Sequence, residues 1–187
     1  RQYISGNRCE RPLGKGKQRD IPNLMKWKYD YLRALGGGEN RRGRIGIPMA
    51  LNMYENLPFW HAFFTKLGFE VVLSPESSRE LYACGQHTIP SDTVCYPAKL
   101  AHGHIEKLLD AGVDALVVFG GTPDAMVEIA QRCSDEGVAL FLTALDVAEA
   151  GRQYATACIG PDQEKAFTDI ANYIIEANGT EEDYTVV

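Results

Sequence analysis

Continuous apolar runs, set between helix-length amphipathic segments that stop at glycine, predict an α/β protein with an open, mostly parallel sheet and helices on both faces. ALVVFGG at 115–121 and VALFLTA at 138–144 are uninterrupted apolar runs. Strands covered on both sides read this way, whereas a strand with one wet face alternates. Segments with apolar positions three and four apart separate such runs and end at Gly68 and Gly112, where a helix is expected to stop. Strand and helix in alternation make a Rossmann-like or flavodoxin-like sheet the natural architecture. Three parts are expected: a basic arm with a short helix and Gly-rich link over 1–43, the α/β domain over 44–179, and an acidic tail over 180–187.

The arm, RQYISGNRCERPLGKGKQRDIP at 1–22, is rich in Gly, Arg and Pro and shows turns but little periodicity. From Asn23, the spacing of Leu24, Trp27, Tyr31 and Leu35, with Lys26, Lys28 and Arg33 interleaved, predicts a short amphipathic helix ending at a flexible Gly36-Gly37-Gly38 link. RIGIPMAL at 44–51 is a first strand that must finish at Pro48, because proline has no N–H for a central ladder. Leu57, Trp60, Phe63, Phe64 and Leu67 then mark one face of a helix, read as core. EVVLS at 70–74 is a second strand and Ser77 to Gly85 a short helix carrying Cys84. A helix from Pro97 to about Ala111 precedes the apolar strand at 115–121, and a helix from Pro123 to about Glu136 precedes the one at 138–144. A short strand at 155–159 and a helix from Gln163 to Ala177, with Ala166, Phe167, Ile170, Tyr173 and Ile174 on one side, complete the domain.

Composition narrows the function classes. The 187 residues are 45% hydrophobic and 24% charged with net charge −6, ordinary for a globular protein. Within that total, residues 1–44 hold 12 of the 19 lysines and arginines and only four acids. Such an arm suits an anionic partner or the chain's own acidic body, and nucleic-acid binding is not predicted. No run of eighteen apolar residues and no export signal is present, so neither a membrane partner nor secretion is expected and a cytoplasmic location is. Arg1 in place of an initiating methionine is what a piece of a longer chain would show. Five cysteines, Cys9, Cys84, Cys95, Cys133 and Cys158, form no Cys-X-X-Cys pair, which argues for reduced thiols rather than a disulfide scaffold. No P-loop and no Gly-X-Gly-X-X-Gly after a strand supports nucleotide binding.

The chemistry concentrates in TIPSDTVCYPAKLAHGH at 88–104, where one cysteine, two histidines, a lysine, an aspartate and two prolines stand between two hydrophobic segments. Pro97 suits the first turn of a helix, which sets Cys95 just ahead of the helix start, where the partial positive charge favours a thiolate able to bind metal. The alternative is a buried structural cysteine. His102 and His104, two apart on a helix, do not share a face and make a poor paired metal site.

The strings SGNRCERPLGKGK (5–17), PNLMKWKYDYL (22–32), RGRIGIPMALNMYENLPFW (42–60), GFEVVLSPESSRELY (68–82) and TIPSDTVCYPAKLAHGHIEKLL (88–109) together resemble the acyl-CoA dehydratase activase-related family. The resemblance covers about residues 1–112. It implies a domain that accompanies activase ATPase domains and is similar to 2-hydroxyacyl-CoA dehydratase subunits, which hold a four-iron, four-sulfur cluster on cysteines. It further implies Cys9 and Cys95 as metal ligands, Lys99, His102 and His104 lining the cofactor region, and a dehydratase or an attached activase ATPase as partner. Two cysteines fall short of the four thiolates such a cluster takes, so Cys84, Cys158 or a second copy in a homodimer would have to complete it.

Residues 113–179 instead resemble one lobe of the periplasmic type I sugar- and amino-acid-binding proteins. That resemblance implies a small-molecule binding module using Asp124, Asp146 and Asp162 as acceptors. An inert α/β fragment is the third reading. Independent catalysis has no nucleophile, base and orienting acid to rest on.

Overall fold

The computed structural model describes residues 21–91, 93–144 and 146–179. The predicted arm over 1–20, with Cys9, and the tail over 180–187 lie outside them. Five strands form one parallel sheet: β1 (Arg44–Ile47), β2 (Glu70–Leu73), β3 (Ala115–Phe119), β4 (Ala139–Thr143) and β5 (Ala157–Ile159). Their order is β2-β1-β3-β4-β5, so the direction of winding reverses between β1 and β3. Six helices accompany them among the described residues: α1 (Leu24–Arg33), α2 (Met53–Leu67), α3 (Arg79–Gly85), α4 (Tyr96–Asp110), α5 (Ala125–Asp135) and α6 (Gln163–Asn178). The fold class and the element order are those expected. None of these helices is long and apolar enough to cross a membrane.

Alternate strand residues feed two cores, as the pleat requires. On one face Ile45, Ile47, Val71, Ala115 and Val117 pack beneath α1 and α2, meeting Leu32, Met53 and Leu57. On the other Leu116, Val118, Leu140 and Leu142 pack beneath α4 and α5, meeting Ile105, Leu108, Met126 and Ile129. Arg44 sews the amino-terminal edge together. Its backbone N–H donates to the Asp114 carboxylate at 2.7 Å, and its guanidinium donates to the carbonyls of Ala111 and Gly112 and pairs with Glu70.

Helix α3 lies against the middle of α4 with almost nothing between the two backbones. A Cβ on Gly85 would stand 2.2 Å from the amide nitrogen of Gly103, and one on Gly103 would stand 2.0 Å from the carbonyl oxygen of Leu81. Two glycines eighteen positions apart are what allow this approach.

Three elements depart from their expected packing. In α1, Leu32 is buried and Tyr29 stacks on Tyr54 at 6.1 Å, while Leu24, Trp27 and Tyr31 face water. In this orientation Arg33 donates to the Ser74 carbonyl and Lys28 pairs with Glu55. In α2 the aromatic stripe is core only in part. Leu57 is buried and Trp60 and Phe64 half-buried, but Phe63 and Leu67 are exposed, and Phe59, Trp60, Phe63 and Phe64 stack on one another instead. The Gly36-Gly37-Gly38 link is fastened: Gly37 and Val71 exchange both backbone hydrogen bonds, at 2.7 and 2.9 Å, which caps the outer edge of β2. Gly37 and Gly38 carry φ of 108° and 126°, a region closed to most side chains.

Candidate functional site

The carboxyl ends of β1, β2 and β3 face the loops where an open α/β sheet holds ligand, with the reversal between β1 and β3 as the favoured crevice. Here that crevice is filled. Met49 and Ala50 are buried just past β1, and Ala98 in the first turn of α4 lies 3.7 Å from where a Cβ on Gly121 would be.

Helix α4 starts as expected. Cys95 is its N-cap in extended geometry with Pro97 at the second helical position, and the Cys95 carbonyl accepts from the Lys99 N–H at 3.0 Å. The Cys95 thiol is exposed, Lys99 is half-buried one turn on, and Tyr96 packs on Tyr82 at 5.6 Å.

His102 and His104 are fully buried on either side of Gly103, because α4 is wedged between α3 and the sheet and buries eight of its residues. The Thr88 hydroxyl donates to the Gly85 carbonyl at 3.0 Å and therefore accepts from His102 Nδ1–H at 2.8 Å. Ser74 Oγ accepts from the Met49 N–H at 2.8 Å and is hydrogen-bonded to His104 Nδ1 at 2.7 Å, while His104 Nε2 is hydrogen-bonded to Ser77 Oγ at 3.0 Å. Burial, reinforced by His87 for His102 and by Arg33 for His104, lowers both pKa values to about 4. These two histidines tie the ends of β1, β2 and α3 to α4. Their partners Ser74, Ser77 and Thr88 carry no sequence signal beyond standing at element ends.

The open cleft lies further along the sheet, past β4 and β5. It holds about 480 Å³ and is walled by Pro123, Asp146, Arg152, Cys158 and Asp162. Asp146 receives Arg152 Nη2 at 2.7 Å and the Val147 N–H at 2.8 Å. The Cys158 thiol bonds to the same carboxylate, which, with these partners, lies below its ordinary pKa. Partial burial and that carboxylate push the Cys158 thiol up. Asp162 caps α6 by accepting from the Lys165 N–H at 2.9 Å, and Asp124 stands at the N-cap of α5 without a side-chain cap bond. Of the three expected acceptors, the fold brings Asp146 and Asp162 to one cleft, and both already hold partners there. Arg152 was not anticipated; nothing in its sequence neighbourhood marks it.

The remaining thiols are dispersed. Cys84 is half-buried near the end of α3, and Cys133 is sealed in the core, where burial drives its pKa to about 12. All four described cysteines are free, and among the described residues no three Cys, His, Asp or Glu side chains converge as a metal site would require.

Residues 44–119 match the CoA enzyme activase uncharacterised domain family. The matched span runs from the first residue of β1 to the last of β3 and includes Cys84, Cys95, Lys99, His102 and His104; β4, β5 and α6 lie beyond it. The match supports an activase-related role. No curated protein matches the sequence. Among solved structures, the chain is similar to an ABC transporter solute-binding protein from Agrobacterium vitis with bound D-fucose, at 14% identity and a TM-score of 0.52 over 74% of this chain and 44% of that one. A second, from Clostridium phytofermentans with bound β-D-glucose, gives 14% and 0.53 over 75% and 38%. The chain spans less than half the length of either. The likeness is one of fold. It bears out the periplasmic-type resemblance of the carboxyl-terminal part and, covering about three quarters of the chain, takes in much of the activase-type segment as well. The two halves form one sheet, joined through β1–β3 pairing.

Proposed function

We propose that this chain is an accessory domain in the activation of a 2-hydroxyacyl-CoA dehydratase, with Cys9 and Cys95 contributing thiolates to an iron–sulfur cluster. The family match over 44–119 carries the reading, because it contains the Cys95 segment and the helix that presents it. Of the thiols inside the match, Cys95 is exposed and Cys84 half-buried, which makes Cys95 the better ligand.

The described residues do not by themselves fit a cluster, since no third ligand converges on Cys95. The missing thiolates would come from Cys9 together with a second polypeptide, either another copy or the activase and dehydratase partners. When bound, such a cluster supplies one-electron transfer. Lys99 would lie beside it, and His102 and His104 act from behind by holding α4 at a fixed height against the sheet.

Iron and acid-labile sulfide in anaerobically purified protein test this directly, with Cys9→Ala and Cys95→Ala beside the wild type. Stoichiometric iron that disappears in both variants is the expected result. Iron absent from every sample, or retained in both variants, overturns the cluster assignment.

A further inference from the structure

Two surfaces of this chain lack cover. The first is α6. It has the spacing of an amphipathic helix, yet every one of its residues is exposed, with Phe167 at 67%, Ile170 at 54% and Ile174 at 37%. Residues 167, 170 and 174 fall on one face at helical spacing. The sequence predicts an apolar side there, and among the described residues that side is exposed.

The second is the sheet face that α1 and α2 leave bare. Register pairs Val117 with Phe141 and Phe141 with Ala157, then Phe119 with Thr143 and Thr143 with Ile159. These residues therefore share the face on which α2 lies. Helix α2 covers its β1–β2 side, and α5 packs on β4 from the opposite face. Ala139, Phe141 and Thr143 are half-buried where Leu140 and Leu142, on the α5 side, are sealed, and Ile159 is 59% exposed. A parallel sheet is stable when both faces are covered, so a strip of β4 and β5 one helix wide calls for a helix.

We propose that α6 docks on the exposed β4–β5 face of a second copy of this chain, and that the second copy's α6 returns the contact. The apolar helix and the apolar strip belong to one sequence, so a second copy supplies both at once, and the exchange closes on itself as a two-fold pair. The link makes the exchange feasible. Only Gly160, Pro161 and Asp162 separate β5 from α6. Pro161 fixes its own φ, and Gly160 is pressed against Ala144, whose carbonyl oxygen would stand 3.0 Å from an added Cβ. Beyond this short, crowded connection every residue of α6 is exposed, and a short hinge under strain is where a terminal element is traded between copies. The inference does not rest on the activation reading.

Sedimentation velocity on the full chain across a concentration series, with hydrogen exchange over 163–178, tests it. The wild type is expected to be a dimer with slowly exchanging α6 amides. Ile170→Asp with Ile174→Asp should raise the dissociation constant by about a hundredfold or more, as loss of buried interface anchors does. Ile159→Asp should act in the same direction from the other side of the contact. Both changes sit on exposed positions, so far-ultraviolet circular dichroism and the melting transition should show the body still folded. A monomer with protected α6 amides would mean that the helix folds back on its own sheet, and would overturn the proposal. So would a monomer with unprotected α6 amides, which would assign the surface to a different polypeptide, or a dimer indifferent to all three substitutions.

Discussion

Acidification should destabilise this protein before most of its carboxylates titrate. In the fold, burial holds His102 and His104 neutral with pKa values lowered to about 4. Unfolded, each returns to about 6.5. Between those values the unfolded chain binds protons that the folded chain refuses, so stability falls as pH falls through the window from 6.5 to 4 and is indifferent to pH above it. At pH 5 the cost is about 2 kcal/mol for each ring, about 4 kcal/mol for the pair, set against the 5–15 kcal/mol that a domain of ordinary stability has. The geometry gives the cost its form. With both ring nitrogens protonated, His104 needs Ser74, which already accepts from Met49, and Ser77 both as acceptors, at a site that burial keeps from water. Urea unfolding at pH 7.5, 6 and 5, followed by tryptophan fluorescence, measures the slope. His102→Gln with His104→Gln should start less stable at pH 7.5 and lose most of the decline toward pH 5. A wild type equally stable at all three pH values, or a double variant with an undiminished slope, would refute the reasoning.

Two further outcomes follow from the packing and from the thiols. Gly103→Ala places a methyl group 2.0 Å from the Leu81 carbonyl, backbone against backbone, and should cost at least the 1–3 kcal/mol typical of overpacking, read as a lower urea midpoint. With iodoacetamide at pH 8, Cys133 should remain unmodified until the protein unfolds, because burial has pushed its pKa to about 12. Cys158 should react faster in Asp146→Asn, which removes the carboxylate that helps hold the proton on its sulfur, and mass mapping of the labelled peptides distinguishes the sites.

The strands were the most legible part of the chain, because an apolar run such as that of 115–119 has few solutions other than burial on both sides. Helix positions were nearly as clear, since Gly68 and Gly112 stop their segments at left-handed φ of 88° and 67°. What covers each helix was not legible. Periodicity reports that an apolar face exists, and in α6 that face is exposed among the described residues. In α1 the residues that pack are Tyr29 and Leu32, against partners such as Tyr54 that are distant in sequence and that no local spacing encodes. The two histidines illustrate the same limit at the site. Their separation puts them on different faces of the helix, but α4 is buried nearly all round, so both faces became interior, and their partners come from residues 14, 27 and 30 positions away.

The contact between Gly85 and Gly103 bears on how freely this region can vary. Because α3 and α4 meet main chain to main chain, the height and tilt of α4 are set by two absent side chains rather than by the choice of any present ones. The connection from Gln86 to Val94 is therefore relieved of positioning the helix it leads into. Substitutions there that leave Thr88 in place, and even changes of length around Ser91, should leave Cys95 where it stands at the head of α4. Sequence drift in that connection could then retune what surrounds the thiol without displacing it.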